Sequence, residues 1–186
     1  IYIAVIVVTL MSTAFSFQLA AQTTIINSGW KFTLDSTKTS WQTVNIPHTW
    51  NKEDAFDDVR GYYRGLGWYR KQVFISAEKA NLVHYLHFKG VNQETNVYVN
   101  GNFVGNHKGG YTAFNFNITT WLKFYDYNLI EVEVYNSHNE NILPLEADFT
   151  FYGGIYRELE LNSVHKKHLY LNDVSFHGSD VAYYNF

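Results

Sequence analysis

The sequence predicts an all-β fold, an antiparallel β-sandwich, and three observations carry that expectation. From Trp30 onward apolar residues recur with period two, and no apolar period of 3.6 residues is sustained. Asn100-Gly101 stands between two β-prone runs, Asn96 to Val99 and Asn102 to Val104, and this dipeptide tolerates positive φ at both positions of a tight hairpin turn. Short β-prone runs separated by turns bearing Gly and Asn then repeat along the chain, as a sandwich requires.

The elements follow in order. Lys31–Leu34, Thr43–Ile46 and Trp68–Ile75 are the first expected strands. In Leu82–Phe88, the residues Leu82, His84, Leu86 and Phe88 share one face, and Val83, Tyr85 and His87 the other. The Asn100-Gly101 hairpin comes next, then Thr112–Asn117 and a single helical turn within Thr119–Phe124. Leu129–Tyr135 places Ile130, Val132 and Val134 inward, with Glu131 and Glu133 outward. Ile155–Leu161 places Ile155, Leu159 and Leu161 inward, with Glu158 and Glu160 outward. A last strand is expected at Leu169–Phe176.

Both ends of the sequence read differently from the middle. Ile1 to Leu10 is almost wholly apolar, the first charged residue is Lys31, and Leu19-Ala20-Ala21 ends in small residues of the kind a signal peptidase cleaves behind. Residues 1–21 are therefore expected to be the apolar and cleavage regions of a secretory signal, in a sequence that starts inside it, and the protein is expected to be periplasmic or secreted. The apolar run is short for a stable membrane span, and an uncleaved anchor helix is the alternative. A domain boundary is expected near Ser163–Lys167, giving a domain over 22–165 and the opening of another unit over 166–186.

Composition excludes several functions. The formal net charge of −3 lacks the basic surplus a nucleic-acid binder needs to displace counterions. There is no cysteine, hence no disulfide, thiolate metal site or cysteine nucleophile. No G-x-S-x-G elbow occurs, and Gly65-Leu-Gly67 and Gly109-Gly110 lack the lysine and strand–turn–helix setting of a phosphate loop. The eight histidines show no ligand spacing; His84 and His87 fall on opposite faces of one strand. Asn117-Ile-Thr119 fits a glycosylation acceptor, but the favoured reading is a strand end entering a turn.

Most acids lie on outward strand faces or in the loop carrying Glu53, Asp54, Asp57 and Asp58. Asp148 differs. It follows Leu143-Pro-Leu-Glu-Ala147 and precedes Phe149-Thr-Phe-Tyr-Gly-Gly154, a lone carboxylate among aromatics ahead of a double glycine. Such a carboxylate can accept hydroxyl hydrogen bonds from a sugar whose C–H face packs on the rings. A turn aspartate capping its own backbone is the other reading.

Five segments occur in the order Ile46-Pro-His-Thr-Trp-Asn51, Gly61-Tyr-Tyr-Arg-Gly-Leu-Gly-Trp-Tyr-Arg-Lys71, Asn96-Val-Tyr-Val-Asn-Gly101, His107-Lys-Gly-Gly-Tyr-Thr-Ala-Phe114 and Asp148-Phe-Thr-Phe-Tyr-Gly-Gly-Ile-Tyr-Arg157. Together they resemble the N-terminal sugar-binding domain of glycoside hydrolase family 2, which includes β-galactosidases, β-glucuronidases and β-mannosidases. The resemblance covers roughly residues 27–165. It implies a jelly-roll, galactose-binding-like β-sandwich, followed by an immunoglobulin-like sandwich, whose start Lys167–Phe186 resembles, and then a (β/α)₈ barrel.

The resemblance implies a secreted, exo-acting, retaining β-glycosidase with a β-linked galactoside as substrate, its two catalytic glutamates in the barrel and none in this chain. It implies no cofactor here, and sodium or magnesium in the longer enzyme. The position of Asp148 matches a family aspartate that reaches the barrel mouth and contacts the first sugar, and in some galactosidases helps to bind sodium. Trp50 and Asn51 lie in a matching loop and are the neighbouring candidates for substrate binding. Tyr156 and Arg157 match as residues that hold the loop. Leu66 departs from the pattern: some members carry a sugar-contacting Asn there. A non-catalytic carbohydrate-binding or adhesive sandwich is the alternative function.

Overall fold

The computed structural model describes residues 22–58, 61–146, 148–168, 170–171 and 181–182. The strands are β1 (Gln22–Ile25), β2 (Trp30–Thr33), β3 (Gln42–Val44), β4 (Leu66–Ile75), β5 (Val83–Phe88), β6 (Glu94–Val99), β7 (Asn102–Lys108), β8 (Phe114–Asn117), β9 (Asp126–Tyr135), β10 (Leu159–Val164), β11 (Tyr170–Leu171) and β12 (Val181–Ala182). Single 3-10 turns at Ala77–Asn81 and Thr119–Trp121 are the helical elements among the described residues. The expected all-β sandwich is present.

One sheet has the order β3-β2-β4-β9-β6-β7 and the other β1-β10-β5-β8, and all their pairings are antiparallel. The period-two alternation works as the sequence implies. In β5, His84, Leu86 and Phe88 are buried while Val83, Tyr85 and His87 are half-buried. In β9, Ile130, Val132 and Val134 meet Val97, Val99, Phe32, Tyr69 and Leu86 in one core cluster. Burying these rows fixes the register, because a one-residue slip would turn every apolar side chain to water. Asn100 and Gly101 have φ of 53° and 79° and turn the β6–β7 hairpin, as the dipeptide predicts.

Several expectations need correction. Ile155–Leu161 is not one strand: the ladder of β10 starts at Leu159. Ile155 is buried as expected, but residues 154–158 bond singly to the 89–92 segment, through Gly154 with Asn92, Arg157 N–H to Gly90 O and Lys89 N–H to Glu158 O. Glu133 faces outward yet is only 8% exposed, accepting hydrogen bonds from Asn96 Nδ2 (2.7 Å) and the Tyr135 hydroxyl (2.7 Å). Glu158 and Glu160 both pair with Lys89, at 2.6 and 2.7 Å. Strand β1 is a wholly exposed edge strand and carries no alternation to announce it. The helical turn within Thr119–Phe124 is confined to Thr119–Trp121. The expected strand Leu169–Phe176 is described only at β11, which pairs with β12; most of it, and the signal over 1–21, lie outside the described residues.

Candidate functional site

The register of the central strands decides where the long loops meet. Leu66 opens β4 and pairs with Tyr135, the last residue of β9, while Glu94 opens β6 and also pairs with Tyr135. The loop before β4 (residues 45–65), the loop after β9 (136–158) and the segment before β6 therefore emerge side by side at one end of the sandwich.

Two asparagines lock these loops together. Asn51 is fully buried, and its Oδ1 accepts from Gly153 N–H (2.7 Å) and Asn136 Nδ2 (3.1 Å). Its Nδ2 donates to the Asp54 carboxylate (3.1 Å) and to Tyr63 O (2.9 Å). Every donor and acceptor on that side chain is thus used inside the protein. Asn136, also fully buried, donates to Phe151 O (3.0 Å) and accepts from Gly65 N–H (2.7 Å), while its backbone carbonyl accepts from Arg64 Nε (2.8 Å). The double glycine serves the same closure. A Cβ on Gly153 would lie 2.1 Å from the Trp50 ring, and one on Gly154 would lie 2.5 Å from the His48 carbonyl oxygen; Gly154 also has φ of 127°.

On this frame the segment after Pro144 walls an open cavity of about 760 Å³, lined among others by Tyr62, Arg64, His138, Asp148, Phe149 and Phe151. The Arg64 guanidinium lies 4.8 Å from the Phe151 ring centre, and Phe149 packs on Phe151 at 5.3 Å while remaining 50% exposed. Asp148 is exposed, and among the described residues its carboxylate takes no hydrogen bond and no ion pair. That is a point against the turn-capping reading, which requires a bond to its own backbone. The exposed Phe149 ring beside an uncommitted carboxylate and a cation forms a surface suited to a sugar.

Trp50 lies elsewhere. Its ring stacks on Phe32 (5.8 Å between centres) and lines a separate cavity of about 710 Å³ together with Trp41, His48, Lys52 and Glu53. Asn51, with all its valences spent, holds the loops rather than presenting atoms to solvent. The sequence candidates are therefore split: Asp148 in one cavity, Trp50 in another, and Asn51 in the frame behind. Tyr156 is half-buried and its hydroxyl donates to Gly110 O. Leu66 is half-buried at the start of β4, and its backbone N–H donates to the Tyr63 hydroxyl (3.1 Å). Asn136 and Arg64 were not singled out from sequence, since their partners lie far along the chain; His138 was not either, since it matters only through the cavity it lines.

No group of three or more His, Asp or Glu side chains able to hold a metal ion occurs among the described residues. Asp148 shares its cavity with Glu146 and the Arg64 cation, and two carboxylates beside a cation do not make a sodium or magnesium site by themselves. No described helix is long and apolar enough to cross a membrane.

Behind the frame, burial holds His48 well below its usual value, at about 4, and pushes the fully buried Tyr69 hydroxyl upward. Tyr69 therefore keeps its proton, His48 is neutral, and the hydroxyl and His48 Nδ1 share a hydrogen bond of 2.7 Å. Burial also lowers His84, before the smaller influences of Lys79. An unfolded histidine takes up its proton near pH 6.5. Between that pH and about 4 the unfolded chain binds more protons than the folded one at His48. Stability is then fully present above pH 6.5 and falls as pH drops. A melting series from pH 7 to 5 should show this decline, and His48→Gln should flatten it; an unchanged slope would refute the assignment.

Comparison with known proteins agrees with this architecture. Residues 11–165 match the sugar binding domain of glycosyl hydrolases family 2. A β-glucuronidase of Bacteroides fragilis is 39% identical over 150 residues, covering 79% of this chain and 22% of that protein. A β-galactosidase of Thermoanaerobacter pseudethanolicus is 37% identical over 155 residues, covering 81% of this chain and 20% of that protein. The crystal structure of a Bacteroides uniformis β-glucuronidase superposes with a TM-score of 0.75 at 37% identity, over 82% of this chain and 19% of that one. The chain thus spans about a fifth of the length of these relatives. It belongs to glycosyl hydrolases family 2, and the match is to the sugar binding domain of that family.

Proposed function

We propose that this chain is the N-terminal portion of an exported, exo-acting, retaining β-glycosidase, with a β-galactoside as substrate, and that its domain supplies Asp148 to the substrate pocket. The observation that carries the proposal is the exposed Asp148 carboxylate, without a hydrogen bond among the described residues, on a loop pinned by Asn51 and Asn136. Such a group breaks no bond to a described residue when it turns toward sugar hydroxyls, and charge-assisted bonds of this kind are strong. Export is supported by the apolar leader and the Leu19-Ala20-Ala21 sequence.

Hydrolysis with retention needs an acid/base and a nucleophile about 5 Å apart. Those belong to the rest of the enzyme, as the short span of this chain relative to its relatives supports. The domain's part is to bind and orient: Asp148 takes hydroxyls, and Phe149, backed by Phe151, covers an apolar sugar face. A β-glucuronide is the second reading. It is favoured by Arg64, which lines the same cavity and is a cation of the kind that pairs with carboxylates.

Proton NMR of the enzyme acting on aryl β-galactoside and aryl β-glucuronide tests both readings. Release of the β-anomer first, with the galactoside the better substrate, is the expected result. Preference for the glucuronide selects the second reading, and release of the α-anomer or no turnover of either refutes the proposal.

A further inference from the structure

His138 belongs to two cavities at once. It lines the cavity of about 760 Å³ with Asp148, and also a cleft of about 280 Å³ with Gln93, Glu94, Asn96, Tyr135, Ser137 and Asn139. The two spaces are neighbours for the reason already given: the chain leaves β9 at Tyr135, beside the start of β6, and runs through Ser137 and His138 toward Asp148.

The wall of the cleft is held in place by its own hydrogen bonds. Gln93 Nε2 donates to Ser137 O (2.6 Å), Asn139 Oδ1 accepts from Asn141 N–H (2.9 Å), and Asn96 Nδ2 and the Tyr135 hydroxyl are fixed on Glu133. What remains uncommitted points to a ligand of many hydroxyls. The Glu94 carboxylate is half-buried and has only long contacts, to Asn139 (3.3 Å), Asn106 (3.4 Å) and Lys108 (3.5 Å). The Ser137 hydroxyl and the exposed His138 imidazole have no hydrogen-bond partner among the described residues. A carboxylate with capacity to spare, a free hydroxyl and a free imidazole in a polar cleft can accept and donate to sugar hydroxyls, and they offer nothing to an apolar ligand.

We propose that the Asp148 cavity continues past His138 into this cleft, that the cleft receives the second sugar unit of an oligosaccharide, and that His138 at the junction determines the preference for the longer substrate. The inference rests on the functional reading above. The cleft lies at the lower end of ligand-site sizes and so takes one ring rather than a long chain.

Calorimetric titration of the enzyme carrying this domain tests it. Methyl β-galactoside and methyl β-glucuronide are each compared with a β-linked disaccharide ending in the same sugar. The wild type should bind the favoured disaccharide about tenfold more tightly than its methyl glycoside, the worth of one charge-assisted hydrogen bond. His138→Ala should remove most of that ratio, and so should Ser137→Trp, which fills the cleft from an exposed position that the fold does not depend on. A wild-type ratio near one, or a ratio that survives both substitutions in proteins of unchanged melting temperature, overturns the inference. Hydrolysis measured on the same samples separates the two claims. Disaccharide preference without any turnover would refute the glycosidase reading and leave the cleft standing; turnover without disaccharide preference would do the reverse.

Discussion

Replacing Asp148 by alanine in the complete enzyme is expected to lower kcat/KM about 10- to 1,000-fold while leaving the melting temperature within about 1 °C of wild type. One or two charge-assisted hydrogen bonds to the substrate are lost, each worth about 1.5–3 kcal/mol, provided that they persist in the transition state. The fold loses nothing comparable, because the Asp148 side chain is exposed and bonds to no described residue. Asp148→Asn keeps an acceptor without the charge and should fall between the two. Steady-state kinetics and melting curves on the same three proteins check this. Lowered melting with unchanged kinetics would make Asp148 a structural turn residue.

Asn51→Ala should do the opposite first. It leaves the buried Gly153 N–H without its acceptor and takes one donor each from the Tyr63 carbonyl and the Asp54 carboxylate, while Asn136 Nδ2 keeps Phe151 O and Tyr63 O. A buried group left unpaired costs about 1–3 kcal/mol, and the weakened bonds at Tyr63 and Asp54 add to it, so a loss of about 2–3 kcal/mol is expected. In a domain of this size that is a fall of roughly 4–12 °C in melting temperature. Any effect on kcat/KM should then follow from loosening of the 136–158 loop. Melting of the variant checks it: a shift below about 2 °C would show that Asn51 does not hold the frame. The contrast between the two substitutions separates the residue that touches the substrate from the residue that holds the loop.

Much of the fold was legible because its signals are local. Alternation in Leu82–Phe88 and Leu129–Tyr135 reports one buried face directly, and Asn100-Gly101 reports a turn through the φ values it permits. Strand β1 was not legible because it is an exposed edge whose four residues bury nothing and so need no pattern. The burial of Glu133 was hidden for a different reason. Its donor Asn96 comes from β6, which lies beside β9 only through the strand order of the sheet.

The site divides in the same way. Asp148 stood out locally, as a lone acid among aromatic residues before two glycines. Trp50 and Asn51 are adjacent in sequence and are grouped with it there, but in the turn they occupy their side chains point in different directions. One lines a second cavity and the other enters the frame. Asn136 gave no signal at all. Its partners Asn51, Arg64 and Gly65 lie 71 to 85 residues away, and only the pairing of β4 with β9 brings them together.

The central claim is that this domain places the Asp148 carboxylate on the substrate of the enzyme it belongs to. The most direct measurement is a crystal structure of the complete enzyme with a non-hydrolysable β-glycoside in its pocket. The account predicts an Asp148 carboxylate oxygen within hydrogen-bond distance, about 2.5–3.2 Å, of a hydroxyl of the terminal sugar. A bound sugar whose hydroxyls all lie beyond about 4 Å from that carboxylate, with the 136–158 loop ordered, would contradict it.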